Sequence, residues 1–458
     1  MTSLRPGRQV DAVRRPSRPV RAAGVAVLTA MLLSGCGSWW GSDDKPALPG
    51  ERIAVMPEKA DIRIDPAVAS EAITVPPAWQ NGEWPQTSGY GNHAMHALAG
   101  PETPVEAWRG DAGVGSGGAK RLMAQPVMAD GRIFVLDADS NVVALDASTG
   151  RRVWSVELAP DSDLLEGAYG GGLAIADGRI YAATGFGDVV ALNPADGVEL
   201  WRTSMHTPFR APPAAGEGRV FAQSFDNQLI ALAGDSGREL WRHGGVPATQ
   251  MILGGAAPGV LGNLVVAAYS SGDLVALRGD SGRVGWAETL AGFAAAGSSL
   301  SALTDILSDP VIDRDMVFAG TVGGRIAAFD VRSGLRVWEQ PFKVNQTPWV
   351  ADTTVYVVVD STRLVAMRRS DGRVRWVVDL PAFEDPEDRE DPIRWTGPVL
   401  AGGRLYLASS AGSLMALNPT DGSKTSETDV GGAVNISPIV ADGKLYVLRD
   451  DATLIAYR

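Results

Sequence analysis

Four places in this chain combine residue types and spacings that chemistry could use. The single cysteine, Cys36, closes the run Leu33-Ser34-Gly35-Cys36 at the end of an apolar stretch. A lone thiol in that setting is an acylation site, with no partner for a disulfide. His93 and His96 form an HxxH pair, but no further ligands cluster near them, so a packed or exposed loop is expected and not a metal site. Asp137-Ala-Asp139-Ser-Asn141 begins like a calcium loop, yet Val142 stands where the sixth position needs glycine, and the segment reads as a hairpin turn. Gly113-Val-Gly-Ser-Gly-Gly118 matches GxGxxG without opening a helix in a βαβ unit, which leaves a loop. There is no GxSxG, and His206 and His243 have no motif partners for a nucleophilic triad. The reading is a protein without a catalytic centre, metal or cofactor.

The elements that must position these residues repeat. ALDASTGRRVW (144–154) returns as ALNPADGVELW (191–201), ALAGDSGRELW (231–241), ALRGDSGRVGW (276–286), AFDVRSGLRVW (328–338) and AMRRSDGRVRW (366–376). In each, glycine precedes Trp154, Trp201, Trp241, Trp286, Trp338 or Trp376 by four residues. The last copy, ALNPTDGSKTS (416–426), keeps Gly422 and has Ser426 in place of tryptophan. Asp, Asn and Ser before a glycine are hairpin chemistry, the glycine supplying the positive φ. A second hairpin lies upstream of the copies, as in PVMADGRIFVL (126–136) and VADGKLYVL (440–448). Each unit thus predicts four short strands. Their continuous apolar runs suit sheets covered on both faces, with the tryptophan filling the gap between neighbouring sheets.

Eight upstream hairpins occur, beginning near 126, 171, 211, 256, 309, 347, 397 and 437, and the eighth unit stops at Tyr457-Arg458 after its third strand. PVEAWRGDAG (104–113), with Trp108, precedes the first full unit. The expected fold is therefore all-β: an eight-bladed propeller of four-stranded antiparallel blades over 104–458. The N-terminal strand completes the last blade and removes two sheet edges at once. Units of roughly 44 residues have the size of propeller blades.

The glycine-to-tryptophan spacing within four-stranded units resembles the PQQ-type propeller repeat. That repeat is shared by quinoprotein dehydrogenases and by the BamB family, lipoprotein subunits of the outer-membrane β-barrel assembly machinery. The dehydrogenase branch implies paired cysteines, which one cysteine cannot supply, and calcium-binding carboxylates, of which no set is recognisable.

Residues 1–21 hold six arginines against Asp11, and 22–35 are small or apolar. That order is a secretory signal too short to span a membrane. Residues 1–35 are read as a lipoprotein signal peptide, with Cys36 the lipidated first residue afterwards. Gly37 follows it, which by resemblance favours the outer membrane, facing the periplasm. Losing six arginines and one aspartate with the signal moves the net charge from −12 to −17. A chain so acidic is a poor nucleic-acid binder, and membrane residence rests on the lipid. Residues 36–103, rich in proline, read as a tether, with 81–98 packing on the propeller.

Two insertions between blades carry the functional reading. HGGVPATQMILGGAAP (243–258) presents Met251, Ile252 and Leu253 between glycines. AGFAAAGSSLSALTDILSDP (291–310) places Leu300, Leu303, Ile306 and Leu307 on one face of a short helix. An apolar patch at a propeller rim is a partner site. In the BamB family the loops after these blades contact the barrel subunit BamA, and the resemblance carries Asp305 over as an acidic contact. The implied function is a non-catalytic scaffold that binds a BamA-like barrel protein, other assembly subunits and unfolded outer-membrane protein clients. The alternatives are a quinone-dependent dehydrogenase-like propeller and a scaffold for another envelope complex. PAFEDPEDREDPIRW (381–395) reads as a solvated acidic insertion.

Overall fold

The computed structural model describes residues 62–118, 120–160, 170–246, 252–290 and 304–458. Residues 1–35, expected to be a signal peptide, and Cys36 lie outside them. Eight four-stranded antiparallel sheets follow one another in the chain. Blade one is Val127–Ala129, Arg132–Leu136, Asn141–Asp146 and Arg152–Glu157, from the axis outward. Blades two to seven repeat this order, their inner strands at Gly171–Ala176, Ala214–Gly216, Gly259–Leu261, Val311–Asp313, Trp349–Ala351 and Trp395–Ala401. Blade eight has Ile439–Ala441, Lys444–Leu448 and Thr453–Tyr457, and its fourth strand is Glu106–Asp111 from the other end of the chain. Trp108 lies opposite Ala456 in that antiparallel pair. The expected ring closure is present, and it leaves no blade incomplete.

The middle strands are buried on both faces, as their unbroken apolar runs require. The outermost strands differ: they alternate exposed and half-buried residues, because their far edge and one face meet water. Asp-Gly pairs turn the first hairpin of several blades with both residues at positive φ, as at Asp130 (50°) and Gly131 (70°). That is the geometry of a two-residue hairpin whose twist matches its strands.

The repeated tryptophan joins one blade to the next. Trp108, Trp154, Trp201, Trp241, Trp286, Trp338 and Trp376 each donate their indole Nε1–H to a turn carbonyl of the following blade, at 2.8–3.3 Å. Each ring also lies against that turn's glycine. A Cβ on Gly150 would sit 2.4 Å from the Trp108 ring, and one on Gly372 2.5 Å from Trp338. The glycine is needed for contact as well as for its positive φ. Ser426 interrupts the series for a topological reason. Its blade faces blade eight, whose outer strand comes from the N-terminus, so the turn that would receive an indole does not exist.

The segment before the ring is not a tether from residue 62 onward; that expectation is corrected here. A short helix α1, Pro66–Ala69, is capped by Asp65, whose backbone N–H donates to Val374 O on blade six. Residues 81–98 then make one circuit of the axis and bond every blade in ring order. Asn81 accepts from Asp442 N on blade eight, and Trp84 exchanges both backbone bonds with Met128 on blade one. Pro85 O accepts from Ile175 N, and the Gln86 side chain brackets Ala215. Gly91 O and Asn92 O accept from Val260 N and Ile312 N. The Trp349 indole donates to His96 O, and Leu98 N to Leu400 O on blade seven. Trp84 and Leu98 are fully buried.

Both histidines of the HxxH pair serve this axial segment. His93 Nδ1 lies 2.9 Å from Pro310 O, and His96 Nε2 lies 3.2 Å from Asp313 Oδ1. Arg369 reaches the other Asp313 oxygen at 2.8 Å. Burial pushes the Asp313 carboxyl up, but the hydrogen bond from His96 and the Arg369 guanidinium outweigh it and hold it below the usual carboxylate range. A carboxyl depressed in the folded state adds stability that is present above its unfolded value of about 3.9 and lost as pH falls through the lowered one. Asp313→Asn is expected to cost about 3 kcal/mol at neutral pH. It should also flatten the loss of stability on acidification below about pH 4, read from urea midpoints as a function of pH.

Candidate functional site

Consecutive antiparallel strands divide the ring into two ends. The turns within strand pairs one–two and three–four lie at one end. The inter-blade connections and the turns between strands two and three lie at the other. Both insertions singled out in the sequence are inter-blade connections, so they share the second end. The acidic insertion is there too, folded into its own exposed hairpin of Phe383–Asp385 and Glu390–Pro392.

Met251, Leu300 and Leu303 lie outside the described residues. Of the other site residues, Leu253 is 49% exposed, and Ile252 and Leu307 are half-buried. Asp305 and Ile306 are each 1% exposed, so neither is an accessible contact, and residues 304–307 are not helical. The expectation of an exposed helical face with an acidic contact is corrected for these residues.

Asp305 is buried because a cation comes to meet it. Arg210, in the connection between blades two and three, places Nη2 2.9 Å from both carboxylate oxygens. Both side chains are almost fully enclosed. Arg210 Nε donates to Gly254 O, and Ile252 N donates to Asp305 Oδ2 at 3.1 Å. One ion pair therefore ties three inter-blade connections together, with Leu253 projecting between two of its anchor points. Burying two charges is costly unless their remaining hydrogen-bonding groups are satisfied, and the backbone of the first insertion satisfies them here. Ser308 fixes the far side by exchanging hydrogen bonds with Gly320 N and O. Arg210 escaped the sequence reading. Its one signal is a charge placed between Phe209 and Ala211 in an otherwise apolar connection.

The calcium-like run is a turn whose acceptors are used internally. Asp137 takes N–H bonds from Val114, Asp139 and Asn141, and from the Asn141 side-chain amide. Among the described residues no three His, Cys, Asp or Glu side chains converge as metal ligands. No described helix is long and apolar enough to cross a membrane.

At the same end a cavity of about 690 Å³ opens on the axis, lined by inter-blade connections and by Ser361 and Asp450 from two turns. Ser88 of the axial segment donates to Asp309, which also accepts from Thr347, the residue after Gln346 of the lining, and from Ala257 N.

These features define a class: a closed eight-bladed propeller of PQQ-type repeats with an occupied axis and a braced rim. The model of the outer membrane protein assembly factor BamB family matches residues 93–168, 161–378 and 385–458, and the chain belongs to that family. It is 28% identical to BamB of Escherichia coli K12 over 358 residues, 77% of this chain and 88% of that one. BamB of Alkalilimnicola ehrlichii is 31% identical over 207 residues. That match covers 45% of this chain, which spans about half the length of that relative. Among solved structures, BamB from Moraxella catarrhalis superimposes with a TM-score of 0.65 at 18% identity, covering 78% of this chain and all of that one. Quinohemoprotein alcohol dehydrogenase from Comamonas testosteroni gives 0.65 at 15% identity, covering 85% and 83%. Both likenesses are of fold.

Removing one partner of the Arg210–Asp305 pair should be far worse than removing both. Asp305→Asn or Arg210→Met is expected to destabilise by about 3–5 kcal/mol, and Arg210→Met/Asp305→Leu to recover most of that, in a double-mutant cycle of urea unfolding.

Proposed function

We propose that this protein is a non-catalytic scaffold lipoprotein of the outer-membrane β-barrel assembly machinery. In this reading it docks a BamA-like barrel subunit on the rim braced by Arg210 and Asp305, and it helps outer-membrane proteins fold and insert. The family match over most of the chain supports the class of function. One observation supports the site: an exposed Leu253 held between buried anchors that join three connections. A rigid apolar projection loses little entropy on binding, which is what an interface anchor needs. Leu307, half-buried beside Ile306, and the uncharted Met251, Leu300 and Leu303 complete the proposed patch.

Lipidation at Cys36 would hold the propeller at the outer membrane on its periplasmic side, because an acidic surface offers no electrostatic attraction to anionic lipid. The outer strands of the blades offer a second use. Their free edges carry exposed Val153, Leu200, Val284 and Val337, onto which an unfolded client strand can add by backbone pairing.

The test is co-purification of the tagged full chain from detergent-solubilised membranes. Wild type is expected to bring down a barrel protein, and Leu253→Asp/Leu307→Asp to lose at least about tenfold of it, since charging a buried anchor costs more than 1.4 kcal/mol. Recovery unchanged by the double variant would remove the rim site. Recovery of a different envelope complex would remove the function.

A further inference from the structure

Apart from Leu253, the lining of the axial cavity belongs to none of the features above, and its chemistry points to a ligand. The circuit of residues 81–98 bonds every blade and so occupies the axis; its Ser88 donates to Asp309, which also accepts from Thr347, the chain neighbour of Gln346 in the lining. An axis filled by the chain's own segment leaves no through-channel, so the cavity suits the end of a chain better than its middle. At about 690 Å³ it lies within the usual range of ligand pockets.

The lining is as polar as it is apolar, where ligand pockets are commonly mostly apolar. Arg121 and Arg394 both face it, together with Asn345, Gln346 and Asn435. Arg121 gives Nη1 to the carbonyls of Gly118 and Lys120. Arg394 makes only long contacts, 3.4 Å, to Asn435 Oδ1. Neither guanidinium is paired with a carboxylate among the described residues. The one acid of the lining, Asp450, already accepts from Ser116 Oγ. Two guanidinium groups with N–H to spare, in a chain of net charge −12, mark a place for an anion. Planar guanidinium matches a carboxylate in particular. Carboxamide side chains, which both donate and accept, match the peptide groups that precede one.

We propose that the axial cavity is a binding site for the C-terminal end of an extended polypeptide, Arg121 and Arg394 holding its α-carboxylate and the amides of Asn345, Gln346 and Asn435 its last peptide groups. The site does not depend on the docking of a barrel subunit. Arg121, Arg394 and the three amides lie outside the proposed rim patch, and only Leu253 touches both.

The test uses the full chain in detergent and a five-residue peptide with uncharged side chains, labelled at its N-terminus with a neutral coumarin. It is offered once as the free acid and once as the C-terminal amide, and binding is followed by fluorescence anisotropy. The free acid is expected to bind about tenfold more tightly than the amide, the difference a charge-assisted hydrogen bond makes. Arg121→Gln and Arg394→Gln should each reduce the preference, and together abolish it, with the thermal melt unchanged because both side chains are exposed. Equal binding of acid and amide, binding of neither, or a preference that survives the double substitution would overturn the assignment. None of these results bears on barrel co-purification, which needs no peptide.

Discussion

The constraint on which this structure depends is the closing of a ring of sheets, each of which alone would expose two faces and two edges. One interaction, made seven times, satisfies most of it. An indole from the outer strand of one blade covers the glycine turn of the next and hydrogen-bonds a carbonyl there. The ring supplies large apolar area, and its N–H removes the polar cost of burying it. The glycine is required because a Cβ there would overlap the indole of the preceding blade. The eighth junction cannot use this device. It lies between blades seven and eight, and blade eight takes its outer strand from the other end of the chain, a strand exchange that completes that blade and removes the last edges that a linear array would leave open.

A closed ring still has an axis, and here the chain fills it with its own segment. Residues 81–98 spend backbone groups on every blade but the third, which the Gln86 side chain holds, so each blade is tied to a common centre as well as to its neighbours. Access is thereby confined to the rim and to the cavity above the segment. The described part of the rim is braced for a different reason. Arg210 and Asp305 stand 95 residues apart in the chain, and the pair is stable only while residues 252–254 and 304–305 stay folded onto it. A buried ion pair gives little net stability over apolar packing, but it tolerates few alternative arrangements. That property suits a surface that must present Leu253 in one place.

The fold was legible in the sequence because its causes are periodic. Turn glycines, tryptophans and apolar strands recur at blade spacing, and the unit lacking a fourth strand announced the closure by Glu106–Asp111. The axial segment was legible only in part: residues 81–98 read as packing on the propeller but not as filling its axis, since they bond mainly through backbone groups, which leave no side-chain pattern, and the prolines and scattered charges before them looked like a tether. Asp305 was misread for a related reason. An acid beside apolar residues resembles a surface contact until its counter-ion is known, and Arg210 stands two blades earlier with no motif to connect them. Ser426 looked like a lapse in the repeat and is instead a consequence of the closure. The cavity arises where several connections meet, which no single stretch of sequence records.

The most direct measurement of the central claim, that ring and axial segment form one cooperative body, is native-state hydrogen exchange. The amides of Trp84 and Leu98, which donate to Met128 and Leu400, should exchange only with global unfolding, at the rate of middle-strand amides such as those of Val265 and Val317, whose strands pair on both sides within their blades. Exchange of Trp84 and Leu98 orders of magnitude faster than those strands would contradict it, reducing the segment to a loosely laid tether and the cavity to an open pore.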